Sequence, residues 1–253
     1  MTKHYLKYRH YFSCCVIIAL WSGGLSMAQD SLKEYRAKRK VGQSGEPAGT
    51  CPGLQARQVM SGRPTGKKQH KNKKPIFTIQ KHNASHLHYD FRLEIDGVMP
   101  SWAVPKGPSL DPKIKRLAIM TEDHPLDYAT FEGVIPEGNY GAGEVIVWDT
   151  GTYDNIKHDH EGNVIDMAKC MELGTVEIFL HGKKLQGAFA LIRTHFGADN
   201  NWLLIKMRDE YANVRRNPVK SQPESVLSGK TIEDLQEKKD KGVKKVTKKK
   251  TQK

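Results

Sequence analysis

The chain has 253 residues and a formal net charge of +13, a length that supports one sizeable folded core with extensions. Its four cysteines, Cys14, Cys15, Cys51 and Cys170, form no CxxC pair, which argues against a zinc knuckle. The charge is uneven. Residues 61–74 hold Arg63, Lys67, Lys68, Lys71, Lys73 and Lys74 and no acid, and residues 213–253 hold 13 Lys/Arg against 5 Asp/Glu. The rest of the chain is therefore close to neutral. Two Lys-rich stretches fit solubilising disorder, and equally fit attraction to a polyanion such as nucleic acid.

In chain order, Lys3, Lys7 and Arg9 precede an apolar run from Phe12 to Trp21, and Ser26-Met27-Ala28 resembles a cleavage site. The run is short for a membrane span, so no stable span is expected in the mature chain. Two readings stay open: an export signal, or mis-translated sequence upstream of a cytoplasmic start at Met27. Residues 1–28 are set apart from the fold either way. Residues 31–40 read as a short polar helix or arm, and 41–75 as a Gly-, Pro- and Lys-rich linker. Together, 29–75 form an N-terminal arm and basic linker.

From Ile76 the texture becomes short alternating apolar runs. The expected strands are 76–81, 87–95, 98–104, 114–121, 143–149, 174–181, 185–194 and 201–207. Asp96-Gly97, Asp149–Gly151 and His181-Gly182 are hairpin signals. Many short strands suggest a barrel or sandwich over 76–212. Residues 213–253 read as a basic, disordered tail, within which Ile232–Lys239 is a candidate short helix before the Lys-rich end.

The most informative strand is Leu87 to Ile95. Its odd positions are apolar; its even positions are His88, Asp90, Arg92 and Glu94. A strand sends successive side chains to opposite faces, so two potential metal ligands and a guanidinium share one face. His82 lies six residues before His88. Two imidazoles and a carboxylate suit manganese, iron or zinc. A merely polar strand face is the plainer alternative, but His-x5-His-x-Asp-x-Arg favours a metal. Arg92 suits an anionic oxygen. Lys106 sits in a Pro- and Gly-pinned turn, and Arg116 in the run 114–121. His124 and Tyr128 follow an acidic turn and could supply a general acid or a transition-state donor. The Gly-rich stretch 136–143 lacks a nucleotide-cradle layout; it shapes a site mouth or makes a turn. Two enzyme classes survive: metal-assisted phosphoryl-ester hydrolysis, and a non-haem iron oxygenase using His88, Asp90 and His124. The three cations favour the phosphate.

The blocks Gln80 to Glu94, Ser101 to Pro108, Glu122 to Tyr128, Phe131 to Gly138 and Trp202 to Lys206 resemble the 3′-phosphoesterase domain of bacterial DNA ligase D in a stand-alone form. The similarity covers about residues 31–210. It implies a mainly β fold, a closed or crescent-shaped barrel of about eight strands with short flanking helices. It also implies a manganese-dependent enzyme, with other divalent metals as substitutes, that trims DNA 3′ ends in end-joining repair. Such an enzyme removes a 3′-terminal ribonucleoside and then the 3′-phosphate, leaving a 3′-hydroxyl. The resemblance places metal ligands on His82, His88 and Asp90, phosphate contacts on Arg92, Lys106 and Arg116, and further active-site groups on His124 and Tyr128. Arg39 and Glu46 keep the seven-residue interval of the family's N-terminal arm. Asn83 and His86 stand where the family usually has Asp and Arg. The implied partners are primer-templates with a 3′ ribonucleotide or 3′-phosphate, and a separate ligase, polymerase and end-binding protein. An RNA-directed phosphodiesterase and a weakly catalytic DNA-binding module are the alternatives.

Overall fold

The computed structural model describes residues 32–39, 44–49 and 74–237. The apolar run of 1–28, Cys51, the core of the basic linker and the Lys-rich end from 238 lie outside them. Among the described residues, no helix is long and apolar enough to cross a membrane.

The described residues form eleven strands in chain order: β1 Ile76–Asn83, β2 Leu87–Leu93, β3 Val98–Met99, β4 Ser101–Val104, β5 Lys115–Met120, β6 His124–Pro125, β7 Gly133–Ile135, β8 Gly143–Asn155, β9 Thr175–Gly182, β10 Gln186–Arg193 and β11 Asn201–Lys206. Eight of them form a closed antiparallel barrel in the order β1-β2-β4-β5-β11-β10-β9-β8, with β8 pairing back to β1. β7 adds to β8, and β3 pairs with β6 as a separate ribbon. Short helices flank the barrel, among them α1 Lys33–Lys38, α2 Met167–Leu173 and α3 Pro218–Ser221. Closure removes the open edges that a sheet of this length would otherwise expose.

Alternation explains the packing. Phe77 and Ile79 of β1, Tyr89, Phe91 and Leu93 of β2, and Trp102 and Val104 of β4 join the core cluster with Trp148, Phe189 and Trp202. Trp102 and Trp202 meet edge to face at 5.6 Å. Each such side chain contributes roughly 1.5–3 kcal/mol by leaving water. The intervening residues of β1, β2 and β4 face outward, and that outer face is covered rather than wetted. Leu32 and Tyr35 of the N-terminal arm cluster there with Val98, Tyr128 and Phe131.

The expected strand 98–104 is broken at Pro100 into β3 and β4, which belong to different sheets; the other expected strands are present, with three further differences. First, β1 continues to Asn83, so His82 lies on a strand and not in the turn beyond it. Second, Asp149–Gly151 is not a hairpin: β8 runs straight through it. The Asp149 carboxylate instead accepts the backbone N–H groups of Lys183, Lys184 and Leu185 at 2.8–3.0 Å, and so caps the β9–β10 turn. Gly151 is needed for contact: a Cβ there would lie 2.1 Å from the His181 carbonyl oxygen. The Asp96-Gly97 turn does form, with φ of 50° and 84°, as such a two-residue connection requires.

Third, the chain from 213 to 237 is ordered and belongs to the domain, against the expectation of a disordered tail from 213. Trp148 Nε1 donates to the Gln222 carbonyl at 2.7 Å, and Lys184 Nζ donates to the same oxygen at 2.9 Å. Val226 N donates to the Val147 carbonyl, and Gln236 to Glu144. A helical turn over 232–237 ends this strap. Most of these contacts run through backbone carbonyls and amides of the strap, which charge counting does not reveal.

Candidate active site

The cross-strand register assembles the site. β1 and β2 pair so that His82 faces His88 and Gln80 faces Asp90, and β4 sets Ser101 opposite Arg92. The His82 and His88 rings are 4.8 Å apart. Donor atoms of His82, His88 and Asp90 all lie within 4.8 Å of one another. Asp90 Oδ1 is 3.4 Å from His88 Nε2, and its Oδ2 is 3.6 Å from His82 Nδ1.

Backbone carbonyls fix which nitrogen of each ring faces inward. His82 Nε2 donates to the Gly141 carbonyl at 2.9 Å, and His88 Nδ1 donates to the His86 carbonyl at 2.9 Å. Each backbone carbonyl thus takes one ring proton, and the other nitrogen of each ring faces Asp90, where it carries either a second proton shared with that carboxylate or, in its place, a metal ion. This is the outer-shell arrangement that prepares imidazoles for a metal. Spacings of 3.4 and 3.6 Å are close to what two donors about 2.1 Å from one ion would show. The residues fit a divalent cation. Without one, Asp90 is an acid among two imidazoles and a guanidinium. Burial alone would raise its carboxyl; Arg92 and the two imidazoles override that and hold it well below the usual range.

Arg92 is 3% exposed. It donates through Nε to Gln80 (2.8 Å), through Nη1 to Ser101 Oγ (2.8 Å) and through Nη2 to Asp90 (3.0 Å). Its guanidinium lies 4.9 Å from the centre of the Tyr128 ring. A guanidinium has five donors, so two remain after these bonds.

The lid comes from elsewhere in the chain. The β3–β6 ribbon places His124, and the 3-10 turn Leu126–Thr130 places Tyr128. α1 and residues 44–49 deliver Arg39 and Glu46. Arg39 donates to Glu46 (2.9 Å) and Glu122 (2.8 Å), and its Nη2 lies 3.1 Å from His124 Nε2. Tyr128 donates its hydroxyl proton to Glu46 at 3.0 Å. His124 Nδ1 donates to the Glu122 carbonyl at 2.9 Å, which leaves Nε2 as the acceptor from Arg39. Burial, together with Arg92 and Arg39, depresses the His124 pKa well below the usual imidazole range, so the ring is neutral. Burial likewise pushes the Tyr128 phenol up. Burial would raise Glu122, but hydrogen bonds from Arg39 and Lys38 hold it below its ordinary value.

Arg39, His82, His88, Asp90, Arg92, Glu122, His124 and Tyr128 therefore line or frame one cleft on the outer wall of the barrel. Glu46 stands behind it, holding Arg39 and Tyr128. His124 does not join the metal-donor cluster, so the iron triad with His88 and Asp90 is not assembled. Two expected residues are not brought in. Lys106 is exposed in the turn after β4. Arg116 pairs with Leu204 on the face of β5 that also carries Ala118, the face turned to the core. Gln80, Ser101, Glu122 and the Gly141 carbonyl are site groups that the sequence reading passed over. Only Gln80 carried a signal, since it shares the parity of His82 on β1. Asn83 turns to Glu144 (2.9 Å), and His86 is exposed and contributes its carbonyl to His88. Glu94 accepts from Ile76 N at 3.0 Å and so fastens the start of β1.

Comparison with known proteins finds relatives that share this sequence. The multifunctional non-homologous end joining protein LigD of Pseudomonas aeruginosa is 45% identical over 204 residues, which is 79% of this chain and 22% of that protein. The multifunctional non-homologous end joining DNA repair protein LigD of Mycobacterium tuberculosis is 44% identical over 184 residues, 72% of this chain and 20% of that protein. The chain thus spans about a fifth of the length of these curated relatives. Residues 80–193, which contain the donor cluster, Arg92 and most of the lid, match the DNA ligase D 3′-phosphoesterase domain. Through this segment, the chain belongs to the DNA ligase D 3′-phosphoesterase domain family.

Proposed function

We propose that the cleft hydrolyses phosphoesters at DNA 3′ ends, removing a 3′-terminal ribonucleoside and then the 3′-phosphate to leave a 3′-hydroxyl. The carrying observation is the focus of His82 Nδ1, His88 Nε2 and Asp90 on one point, with Arg92 beside it. His82, His88 and Asp90 would hold a divalent ion. Manganese suits two imidazoles and a carboxylate, and a bound ion there supplies Lewis-acid polarisation of a phosphoryl oxygen.

The chain's own groups do the rest. Arg92 turns its two uncommitted donors to the phosphate, held in orientation by Gln80 and Ser101. Arg39 brings a second guanidinium, aimed by Glu46, Glu122 and His124. Neutral His124 has no proton free at Nε2 and acts by positioning Arg39. Tyr128 stays a phenol, anchors Glu46 and covers Arg92. Lys106 and the basic segments at 61–74 and beyond 213 attract flanking phosphates from outside the cleft. The names of the relatives support a setting in end joining, where a 3′-hydroxyl is the end that a ligase or polymerase activity uses. That setting points to a cytoplasmic chain starting at Met27.

The test incubates the full chain and manganese with primer-templates ending in a 3′ ribonucleotide or a 3′-phosphate. Formation of 3′-hydroxyl ends, abolished by His82→Ala, His88→Ala or Asp90→Ala in folded protein, is the expected result. Binding without turnover by the parent chain, or full activity in any of the three variants, refutes the reading.

A further inference from the structure

The Gly-rich segment 136–143 does more than turn the chain. Gly138 and Gly141 adopt φ of 83° and 71°, and the Gly141 carbonyl fixes the His82 ring. Between them Tyr140 stands 48% exposed at the rim of the cleft. Its ring centre lies 5.2 Å from Lys38 Nζ and 5.3 Å from the Arg39 guanidinium carbon. These cations fix the ring in place while about half of the residue stays open.

Tyr140 also belongs to a second depression. A groove walled by Lys38, Ile119, Met120 and Asn200 adjoins the cleft and shares Tyr140, Thr121 and Glu122 with it. A strand whose 3′ phosphate lies against Arg92 has to leave the cleft, and this groove opens beside it. A half-open aromatic ring with two cations over it matches the chemistry of a nucleotide, in which a flat base neighbours an anionic backbone. The plainer role, a cover for the N-terminal arm, does not require a half-open ring shared by both depressions.

We infer that Tyr140 is the stacking platform for the base of the nucleoside whose 3′ oxygen bears the attacked phosphate, and that the adjoining groove is the track of that strand. This rests on the phosphoesterase reading. Stacking on an aromatic ring tolerates every base, so the platform confers end positioning without sequence preference.

The test compares 3′-phosphate primers carrying a normal or an abasic nucleoside at that position, in the full chain with manganese. Tyr140→Ala should raise KM about tenfold or more on the base-bearing end, with little change in kcat and no effect on the abasic end. Tyr140→Phe and Tyr140→Trp should keep the parent KM. Equal losses on both ends, or none on either, overturn the inference. Separately, 2-aminopurine at that position should be quenched on binding the parent chain and not on binding Tyr140→Ala. Quenching by a parent chain that hydrolyses neither end would leave the platform standing and sink the phosphoesterase reading. Absence of quenching by a parent chain that does hydrolyse would sink the platform alone.

Discussion

Arg39→Ala offers the sharpest probe of how the lid is held. The side chain is 6% exposed and its partners Glu46 and Glu122 are each 2% exposed. The substitution removes both ion pairs, the donor to His124, and a guanidinium 4.1 Å from the Tyr35 ring centre. Leaving Glu46 buried without its cation, and Glu122 with Lys38 alone, costs about 3–5 kcal/mol, or an opening constant raised on the order of 10²–10⁴-fold. That cost falls on the arm, because the barrel closes without it. Hydrogen exchange should therefore show protection lost over residues 32–39, including the Arg36 amide bonded to the Leu32 carbonyl, with the strands unchanged. Adding Glu122→Gln removes a buried charge that Lys38 alone then balances, and should restore part of the protection. Unchanged arm protection, or a loss spread evenly through the barrel, would refute the assignment of Arg39 as the clasp.

Glu122→Gln alone should be pH-dependent. Its carboxyl is held below the ordinary value of 4.5, so it stabilises the fold fully above that pH and loses the effect as pH falls through the lowered folded value. The melting-temperature deficit of the variant should be greatest near neutrality and shrink on acidification. Asp149→Ala strands the N–H groups of Lys183, Lys184 and Leu185, and should cost about 2–4 kcal/mol in urea unfolding. Metal affinity, measured calorimetrically at low temperature, should stay unchanged, since Asp149 does not line the cleft. Gly143→Ala would set a Cβ 2.1 Å from the Asn83 carbonyl oxygen at a φ of 145°. It should break the β1–β8 seam beside His82, read as a lower melting temperature together with weakened metal binding.

The parts of the fold legible in the sequence were those where two faces of a strand differ in chemistry. β2 announced itself because every odd residue was apolar and every even one ionisable, and the metal donors followed from that parity. Arg116 shows the limit. Its charge suggested the site, yet its parity with Ala118 puts it on the other face of β5, and parity decides where a side chain points. Gln80 and Ser101 were overlooked because neutral hydrogen-bonding residues occur everywhere; only the cross-strand register reveals that they steer Arg92. The strap over 213–237 was hidden for a related reason. Backbone carbonyls bind it to Trp148 and Lys184, and backbone groups carry no sequence signature. Asp149 looked like a turn residue and is one, but the turn it caps is 34 residues away.

The two-sided use of β2 bears on how this protein can change over time. Tyr89, Phe91 and Leu93 are committed to the interior, while Asp90 and Arg92 are committed to the cleft, and all five are buried. A slip of one residue would exchange the aromatic set for the ionic set, so neither half can compensate for the other. From Tyr89 to Leu93 no position is left to drift, and only Leu87, 47% exposed, is loosely constrained. Innovation in such a domain has to enter through the loops around the wall, and not through the wall itself.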